Sequence, residues 1–255
     1  MDSFEELVES AERQPFKGWD FSYLRGRYIE ARPCWDYRRL VLGRLGGAKS
    51  LLDLGTGGGE FLSSLGRLPS ATCTTEGYGP NTRVALANLR TRGADVVKTW
   101  CDDNGTKPQR GALPFRTACF DIVIDRHESY IADEVYRVLK PGGTFITQQV
   151  GHGNNEDLRS AFHVPGRPVS RRLAEAVGEL EASGFRVLAK NECVLMSRFL
   201  DVGAVVYLLK AIPWEVPGFS VSKFEKELRE IHSVILKEGG FYVTTARFVV
   251  VAAKA

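Results

Sequence analysis

Short apolar runs alternate with helical periodicities along the first 150 residues of the chain. We predict strands at residues 50–54, 71–75, 95–99, 120–125 and 144–150, of which 50–54 and 120–125 are apolar runs typical of strands buried on both faces. Between them, apolar side chains recur at helical spacing, and glycine or proline follows several of these stretches. Strands that alternate with helices in this way indicate an α/β fold built on a parallel sheet.

The first predicted strand is followed by four glycines within five residues. Residues 51–60 read LLDLGTGGGE, so the strand runs into a glycine turn and then into a helix near Glu60. Without a Cβ, glycine adopts positive φ values and lets a ligand lie against the backbone. The free N–H groups at the helix start face such a ligand. A strand, a glycine turn and a helix are typical of the first unit of a nucleotide-binding domain.

The spacing of these glycines separates two classes of ligand. The dinucleotide fingerprint G-x-G-x-x-G requires a third glycine at the position that Glu60 occupies. The pattern that fits is Asp53-x-Gly55-x-Gly57-x-Gly59, which resembles motif I of the class I S-adenosylmethionine-dependent methyltransferases. An acidic side chain there suits a ligand that carries an ammonium and a sulfonium group, whereas a pyrophosphate favours an uncluttered helix N-terminus.

Three further motifs follow in the order expected for that family. Glu76 lies 23 positions after Asp53, at the end of the second predicted strand. The segment FDIVID at 120–125 resembles the family's motif IV, and RVLKPGG at 137–143 resembles its signature before the fifth strand. The resemblance covers residues 48–150 at the level of motifs and extends to the end of the chain by the order of elements.

This resemblance implies how S-adenosylmethionine would be bound. Glu76 is expected to accept hydrogen bonds from both ribose hydroxyls. An acid after the third strand, Asp102 rather than Asp103, is expected to accept the adenine amino group, although the adjoining turn leaves a structural role open for Asp103. The predicted cofactor-binding residues are Asp53, Gly55, Thr56, Gly57, Gly59, Glu76, Tyr78, Asp102, Asp103 and Arg126.

The resemblance also implies an architecture. We expect a Rossmann-like α/β fold with a seven-stranded, mostly parallel sheet, an antiparallel last strand and helices on both faces. The last two strands are predicted at 185–198 and 241–253. Residues 199–240, between them, would form a helical lid over the substrate or else an extra pair of packing helices. Residues 1–47 would form an N-terminal helical and aromatic cap, and residues 48–255 the methyltransferase domain.

Candidate catalytic groups lie at the end of the fourth predicted strand. Titratable groups at the carboxyl end of a central strand are costly to place unless something binds there. In the resembled family the methyl passes directly and in line to an oxygen, nitrogen or carbon, so only a protonated acceptor needs a base. We predict His127 as that base and as a substrate contact, with Glu128 as its orienter or the alternative base. If Arg126 does not bind the cofactor, it would pair with Asp125 or with a helix end.

Further substrate contacts are predicted in three parts of the chain. An aromatic segment near the N-terminus contributes Trp19 and Tyr23, which would line a pocket or else only cap the sheet. Gln148 and Gln149 end the fifth strand, where buried amides need partners, so they line the substrate site or tie down its loops. Trp214 follows the apolar helix of the insertion and is the remaining predicted substrate contact.

Composition narrows the possible partners. The 255 residues carry a formal net charge of +3, with 44% hydrophobic and 25% charged residues, which does not favour a strongly electrostatic nucleic-acid binder. Five scattered cysteines and four histidines without ligand spacing favour a reducing compartment and no metal site. Because no apolar run could span a bilayer and the N-terminus does not resemble a secretory signal, we expect a cytoplasmic protein without a membrane partner.

Four functions are compatible with the sequence. The predicted lid, the aromatic segment and the modest charge favour S-adenosylmethionine-dependent methyl transfer to an oxygen or nitrogen of a small molecule. An NAD(P)-dependent oxidoreductase is disfavoured by Glu60, and a protein that binds S-adenosylmethionine without catalysis is compatible with the same motifs. An RNA base methyltransferase is the runner-up. It would need a continuous basic surface, to which the chain could contribute Arg25, Arg27, Arg167, Arg171 and Arg172.

Overall fold

The computed structural model describes residues 3–16, 19–99, 112–165 and 171–255. The helices of this part are α1 (Phe4–Arg13), α2 (Tyr37–Leu45), α3 (Glu60–Ser64), α4 (Gly79–Leu89), α5 (Ala132–Val138), α6 (Glu156–Ala161), α7 (Leu173–Ala182), α8 (Val202–Ala211) and α9 (Glu225–Glu238). The strands are β1 (Tyr28–Ile29), β2 (Ser50–Leu54), β3 (Ala71–Glu76), β4 (Ala94–Lys98), β5 (Phe120–Arg126), β6 (Leu139–Val150), β7 (Phe185–Phe199) and β8 (Phe241–Lys254).

The chain packs into two compact units, each with a hydrophobic core. The sheet unit comprises Cys34–Gly151, Arg171–Glu192 and Arg247–Ala255. The helical unit comprises Met1–Pro33, His152–Ser170 and Cys193–Ala246. Strands β7 and β8 contribute residues to both units.

Parallel pairing dominates the centre of the sheet. Hydrogen bonds join the strands in the order β1-β7-β8-β6-β5-β2-β3-β4. Strand β2 is parallel to both β3 and β5, and β5 is parallel to β6, whereas β8 is antiparallel to β6 and β1 is antiparallel to β7. The carboxyl ends of β2, β3 and β5 therefore open on one edge. Strand order reverses between β2 and β5, which is where open α/β sheets bind ligands.

The faces of the central strands in the sheet unit are both covered. Successive side chains of a strand point to opposite faces. Leu52 of β2 accordingly packs in a cluster with Phe145 and with helices α5 and α7, while Leu51 packs in a second cluster with Ile124 and with helices α2 and α4. This double coverage explains why the strand sequences are nearly continuous apolar runs.

The helical unit is organised around α8, whose residues are almost all buried. Asp201 caps α8 by accepting from the Ala204 amide at 2.9 Å, and Arg27 donates to the same carboxylate at 2.8 and 2.7 Å. Helix α1 begins with a capping box formed by Ser3 and Glu6. Helix α9 buries one face only, through Leu228, Ile231 and Ile235.

The predicted fold class is confirmed, with one more strand than expected among the described residues. The sheet has eight strands because Tyr28–Ile29 pairs with the end of β7. The helices predicted within 199–240 are present as α8 and α9. Strand β6 begins at Leu139 instead of residue 144, because Leu139 already pairs with Phe120 ahead of a register shift. The domain boundary at residue 47 stays a prediction.

Candidate functional site

The glycine turn after β2 adopts a backbone that side chains would disturb. Gly55, Gly57 and Gly59 have φ values of 63°, 62° and 83°, in the left-handed region that favours glycine. A Cβ at Gly55 would overlap the side chain of Glu128, and a Cβ at Gly59 would lie 2.8 Å from a carbon of Leu89. All three glycines are therefore favoured by conformation, and Gly55 and Gly59 also by the close approach of neighbouring side chains.

Strand β3 holds this turn in place. The Thr56 amide donates to the Thr75 carbonyl at 2.9 Å, and the Gly55 amide donates to the Thr75 hydroxyl at 3.2 Å. The Gly59 amide donates to the Thr56 carbonyl at 3.0 Å, and Gly59 then forms the N-cap of α3. Because β2 and β3 are parallel neighbours, the turn lies beside Glu76 at the end of β3.

Three buried carboxyl groups gather at this edge. Asp53, Glu76 and Asp125 are 3%, 5% and 0% exposed. Burial, opposed by the nearby hydroxyl groups of Thr56 and Thr74, raises the pKa of Asp53 to about 7. Burial and the negative charge of Glu128 raise the pKa values of both Glu76 and Asp125. The edge thus concentrates carboxyl groups, and a positively charged ligand would favour their ionised form.

Several buried polar atoms near the glycine turn have no hydrogen-bond partner in the described part of the chain. They are Asp53 Oδ2, Thr56 Oγ1, Asn81 Oδ1 and Asp125 Oδ2. Leaving such atoms unpaired costs free energy, so their clustering indicates a binding site. Three are acceptors and the fourth, a hydroxyl oxygen, is both donor and acceptor. This set fits a ligand that donates through a cationic N–H group.

The chain after β5 places His127 and Glu128 at the same edge. His127 has a φ of 70°, which is uncommon for a residue with a side chain, and its amide donates to the Gln148 carbonyl at 2.8 Å. The Glu128 amide donates to Asp125 Oδ1 at 3.3 Å, and the Glu128 side chain lies against Gly55. The two predicted catalytic residues therefore adjoin the predicted cofactor turn.

Gln148 and Gln149 use their amides to hold neighbouring groups. Gln148 Oε1 accepts from the Trp35 indole at 2.8 Å, and Gln148 Nε2 lies 3.2 Å from His127 Nε2. Gln149 Nε2 lies 2.7 Å from Asp125 Oδ1 and 2.9 Å from the Glu128 carbonyl. Of the two predicted roles, the observed contacts are those of residues that tie down the edge of the site.

The other predicted substrate contacts lie in the helical unit. Trp19 and Trp214 are 42% and 39% exposed, and their rings meet edge to face with centroids 6.1 Å apart. The Tyr23 ring instead packs on Tyr207, at 4.7 Å between centroids, under the guanidinium of Arg27. The structure brings the two tryptophans together but not with Tyr23, and all three remain predicted substrate contacts.

The structure describes two of the four remaining predicted cofactor residues. Asp102 and Asp103 lie outside the described residues. Tyr78 is 53% exposed, and its backbone amide donates to Glu76 Oε1 at 2.8 Å. Arg126 is exposed, with its guanidinium 5.7 Å from the Phe61 ring centroid.

Sequence reasoning missed four residues at this edge. Asp125 is fully buried there, and the Tyr37 hydroxyl, also buried, donates to the Asp125 carbonyl at 2.9 Å. Asn81 and Trp35 are the other two. The DRHESY segment drew attention to the titratable neighbours of Asp125. The other three residues belong to helices or loops whose approach to the strands is a tertiary property.

Residues 52–147 match the family model described as a methyltransferase domain. Over these residues, which make up less than half of its length, the chain is similar to methyltransferase domains. The ubiquinone/menaquinone biosynthesis C-methyltransferase UbiE of Desulfotalea psychrophila is 33% identical over 120 residues, which is 43% of this chain and 46% of the relative. The match thus spans less than half the length of that curated relative.

Solved structures extend the likeness over most of the chain. A provisionally assigned methyltransferase of Bacillus halodurans C-125 aligns with a TM-score of 0.58 at 17% identity, covering 86% of this chain and 98% of its own. The [4+2]-cyclase SpnF aligns with a TM-score of 0.52 at 16% identity, covering 98% and 92%. At these identities the likeness concerns the fold alone, on which different chemistries occur.

The described residues contain neither a cluster of metal ligands nor a membrane-spanning helix. Within those residues, no group of three or more His, Cys, Asp or Glu side chains is arranged to hold a metal ion. Of the helices that the structure describes, none is both long and apolar enough to cross a membrane.

Proposed function

We propose that this chain is an S-adenosylmethionine-dependent methyltransferase that acts on a small-molecule acceptor. The observation that carries the proposal is the group of buried, unpartnered oxygens of Asp53, Thr56 and Asp125 beside a glycine turn. The match of residues 52–147 to a methyltransferase domain suggests S-adenosylmethionine as the ligand of this group. When bound, S-adenosylmethionine supplies a methyl group already activated by the sulfonium charge.

The residues at the edge fit the parts of this cofactor. The carboxyl of Asp53 would accept the ammonium of its amino-acid end, and the glycine turn would leave room for that end against the backbone. Glu76 Oε1 already accepts from the Tyr78 amide, but a carboxylate offers about four acceptor positions, which leaves capacity for two ribose hydroxyls. Thr56 and Asn81 would complete the polar contacts.

Glu128 is the group best placed to serve the acceptor. It lies against Gly55, next to the predicted methyl donor, and its Oε1 accepts from the Ser129 amide at 3.2 Å. A carboxylate there would favour a cationic donor electrostatically and could receive a proton from a protonated acceptor. His127 adjoins it at the end of β5. Both residues would act by orienting the acceptor and excluding water from the transfer.

A small molecule is favoured over RNA because two of the five arginines that an RNA-binding surface would use are already engaged. Arg27 is engaged with Asp201, and Arg171 forms an ion pair with Glu179. Arginines neutralised in this way contribute less to phosphate binding than free ones. Because the matched relative is a C-methyltransferase of ubiquinone and menaquinone biosynthesis, carbon is a further acceptor atom to test.

Isothermal titration calorimetry with S-adenosylmethionine and, separately, with NAD tests the proposal. We expect S-adenosylmethionine to bind and NAD not to bind. Glu76→Ala should weaken the binding by roughly 10-fold or more, because hydrogen bonds to a charged group contribute about 1.5–3 kcal/mol. The matched control is Asp95→Ala, which removes an exposed acid from β4 and should leave the affinity within about 2-fold.

Two outcomes would count against the proposal. Binding of NAD without binding of S-adenosylmethionine would reassign the cofactor. An unchanged affinity in Glu76→Ala, with the variant still folded by circular dichroism, would remove Glu76 from the ribose role. For the acceptor, turnover of small quinols and phenols should be compared with turnover of total RNA in a tritium-transfer assay. Label in RNA alone would favour the runner-up function.

A further inference from the structure

Three side chains form a chain of hydrogen bonds whose direction is fixed by chemistry. The indole Nε1–H of Trp35 can only donate, and it lies 2.8 Å from Gln148 Oε1. The amide of Gln148 is therefore oriented with its oxygen toward Trp35 and its NH₂ group toward His127. Gln148 Nε2 lies 3.2 Å from His127 Nε2. Because an amide NH₂ only donates, His127 Nε2 must accept.

An imidazole nitrogen that accepts a hydrogen bond carries no proton. His127 is then neutral, with its single proton on Nδ1, since imidazolium would present donors on both nitrogens. Reversing the chain would require the Gln148 amide to rotate, and its NH₂ group would then face the Trp35 donor. The indole thus fixes the state of an imidazole through one intervening amide.

The backbone holds Gln148 and His127 next to each other. Gln148 is 6% exposed and is paired with Arg126 across β5 and β6. The His127 amide donates to the Gln148 carbonyl at 2.8 Å, and the φ of 70° turns His127 out of the strand direction. A left-handed conformation in a residue with a side chain persists only where surrounding contacts hold it. Here Gln148 holds both the backbone and the ring.

The charges around His127 also favour its neutral form. Desolvation and the positive charges of Arg247 and Arg126 lower the pKa of the His127 imidazole well below its ordinary value. Because the His127 side chain is exposed, solvent weakens both effects, and the hydrogen bonds carry the assignment of its protonation state. The nearest acids along the chain, Asp125 and Glu128, are held by Gln149 and Ser129.

We propose that Trp35 and Gln148 are positioning residues that fix His127 as a neutral imidazole protonated on Nδ1, so that His127 donates a hydrogen bond to an oxygen of the methyl acceptor. The donor role rests on the proposed function, whereas the protonation state does not. A base would need the Nε2 lone pair that Gln148 occupies, or Nδ1 without its proton. His127 therefore takes no proton from the acceptor, and a proton lost from a protonated acceptor passes to Glu128 or to solvent.

This assignment defines the class of acceptor more closely. It presents an oxygen lone pair to His127, as an ionised phenol, an enolate or a carbonyl does. A donor at that oxygen orients the acceptor and stabilises negative charge on it. An amine acceptor without a neighbouring oxygen would leave the Nδ1–H without a partner in the complex.

Nitrogen-15 NMR of the histidine side chains in the full chain tests the protonation state without cofactor or acceptor. The signals of His127 are assigned by their loss in His127→Asn, a substitution that keeps a side chain tolerant of positive φ. At pH 7 we expect one protonated nitrogen, Nδ1, and one unprotonated nitrogen, Nε2. A proton on Nε2, or an imidazolium signal at pH 7, would overturn the proposal.

Two variants separate a positioning role from mere packing. Gln148→Glu keeps the shape but replaces the NH₂ donor by an acceptor, so the proton should move to Nε2 and the titration midpoint of His127 should rise by about 1 pH unit or more. Trp35→Phe keeps an aromatic ring but removes the indole donor, so the Gln148 amide is free to rotate. The His127 proton should then be shared between Nδ1 and Nε2. An unaltered His127 spectrum in folded Gln148→Glu would refute the relay, whatever calorimetry shows for S-adenosylmethionine.

Discussion

At the scale of single residues, the site depends on carboxyl groups that their surroundings keep from ionising fully. Asp53 has a pKa of about 7, mainly because it is buried, and Glu76 adds negative charge nearby. Asp53 Oδ2 has no partner among the described residues. An ammonium group at this oxygen would supply both the missing hydrogen bond and the missing positive charge. Ligand binding and proton release at Asp53 should therefore be coupled.

The first prediction is that S-adenosylmethionine binds more tightly as the pH rises through 7. The ammonium favours ionised Asp53, so binding releases a proton below and near the pKa, and affinity should increase by several-fold between pH 6 and pH 8. Calorimetry at pH 7 in phosphate and in Tris, whose ionisation enthalpies differ, measures the released protons directly. Asp53→Asn should bind weakly and abolish most of the buffer dependence. Equal binding enthalpies in the two buffers for the unmodified chain would contradict the coupling.

At the scale of elements, the connection from β2 to α3 brings chain segments closer than side chains allow. Gly55 faces Glu128, which follows β5, and Gly59 faces Leu89 at the end of α4. The turn is thus a contact point between the first strand–helix connection and two later elements. A ligand seated on this turn would contact residues that are distant in sequence, which is how a single glycine motif can organise a whole site.

The second prediction concerns a side chain at Gly55. Gly55→Ala forces a Cβ onto a φ of 63° and against Glu128, so we expect a loss of about 1–3 kcal/mol in the free energy of unfolding. Gly43→Ala is the matched control in the same unit, because Gly43 lies within α2 and has open space around its Cβ position. The control should gain about 0.5–1 kcal/mol from helix propensity. Urea denaturation followed by circular dichroism measures both, and similar stabilities for the two variants would disprove the steric argument.

At the scale of the whole molecule, the sequence predicted the features that local motifs set better than the features that tertiary contacts set. The glycine turn and Glu76 were identifiable because a ligand-binding turn and the tip of the next strand are set by neighbouring residues in sequence. The relay from Trp35 to His127 was not identifiable, since Trp35 and Gln148 are separated by 113 positions and meet only when α2 packs on the sheet. The sequence suggested a base role for His127, whereas our proposal of a neutral hydrogen-bond donor depends on a contact with Gln148 that only the fold reveals.

The third prediction is that the chain without ligand loses stability as the pH rises from 5 to 8. The folded pKa values of Asp53, Asp125 and Glu76 are raised, so the folded state binds more protons than the unfolded state above the ordinary carboxyl pKa. Stability from these groups is fully present at low pH and is lost as the pH rises through the folded pKa values. Asp53 alone, raised from 3.8 to about 7, corresponds to about 2–3 kcal/mol between pH 5 and pH 8.

Groups with lowered pKa values oppose this trend in part. The pKa of His127 lies well below its ordinary value, so this group adds stability as the pH rises toward 6.5, but one imidazole opposes three carboxyl groups. Burial acts to raise the pKa of Asp121, but bonds from Lys140 and Ser50 prevail and lower it to about 2, so its stabilising effect is lost below about pH 4. The stability maximum should consequently lie near pH 5. Urea midpoints at pH 4, 5, 6.5 and 8 measure the profile, and Asp53→Asn should flatten its alkaline side while leaving the acid side in place. A midpoint that rises steadily from pH 5 to pH 8 would show that the buried carboxyl groups do not take up protons on folding.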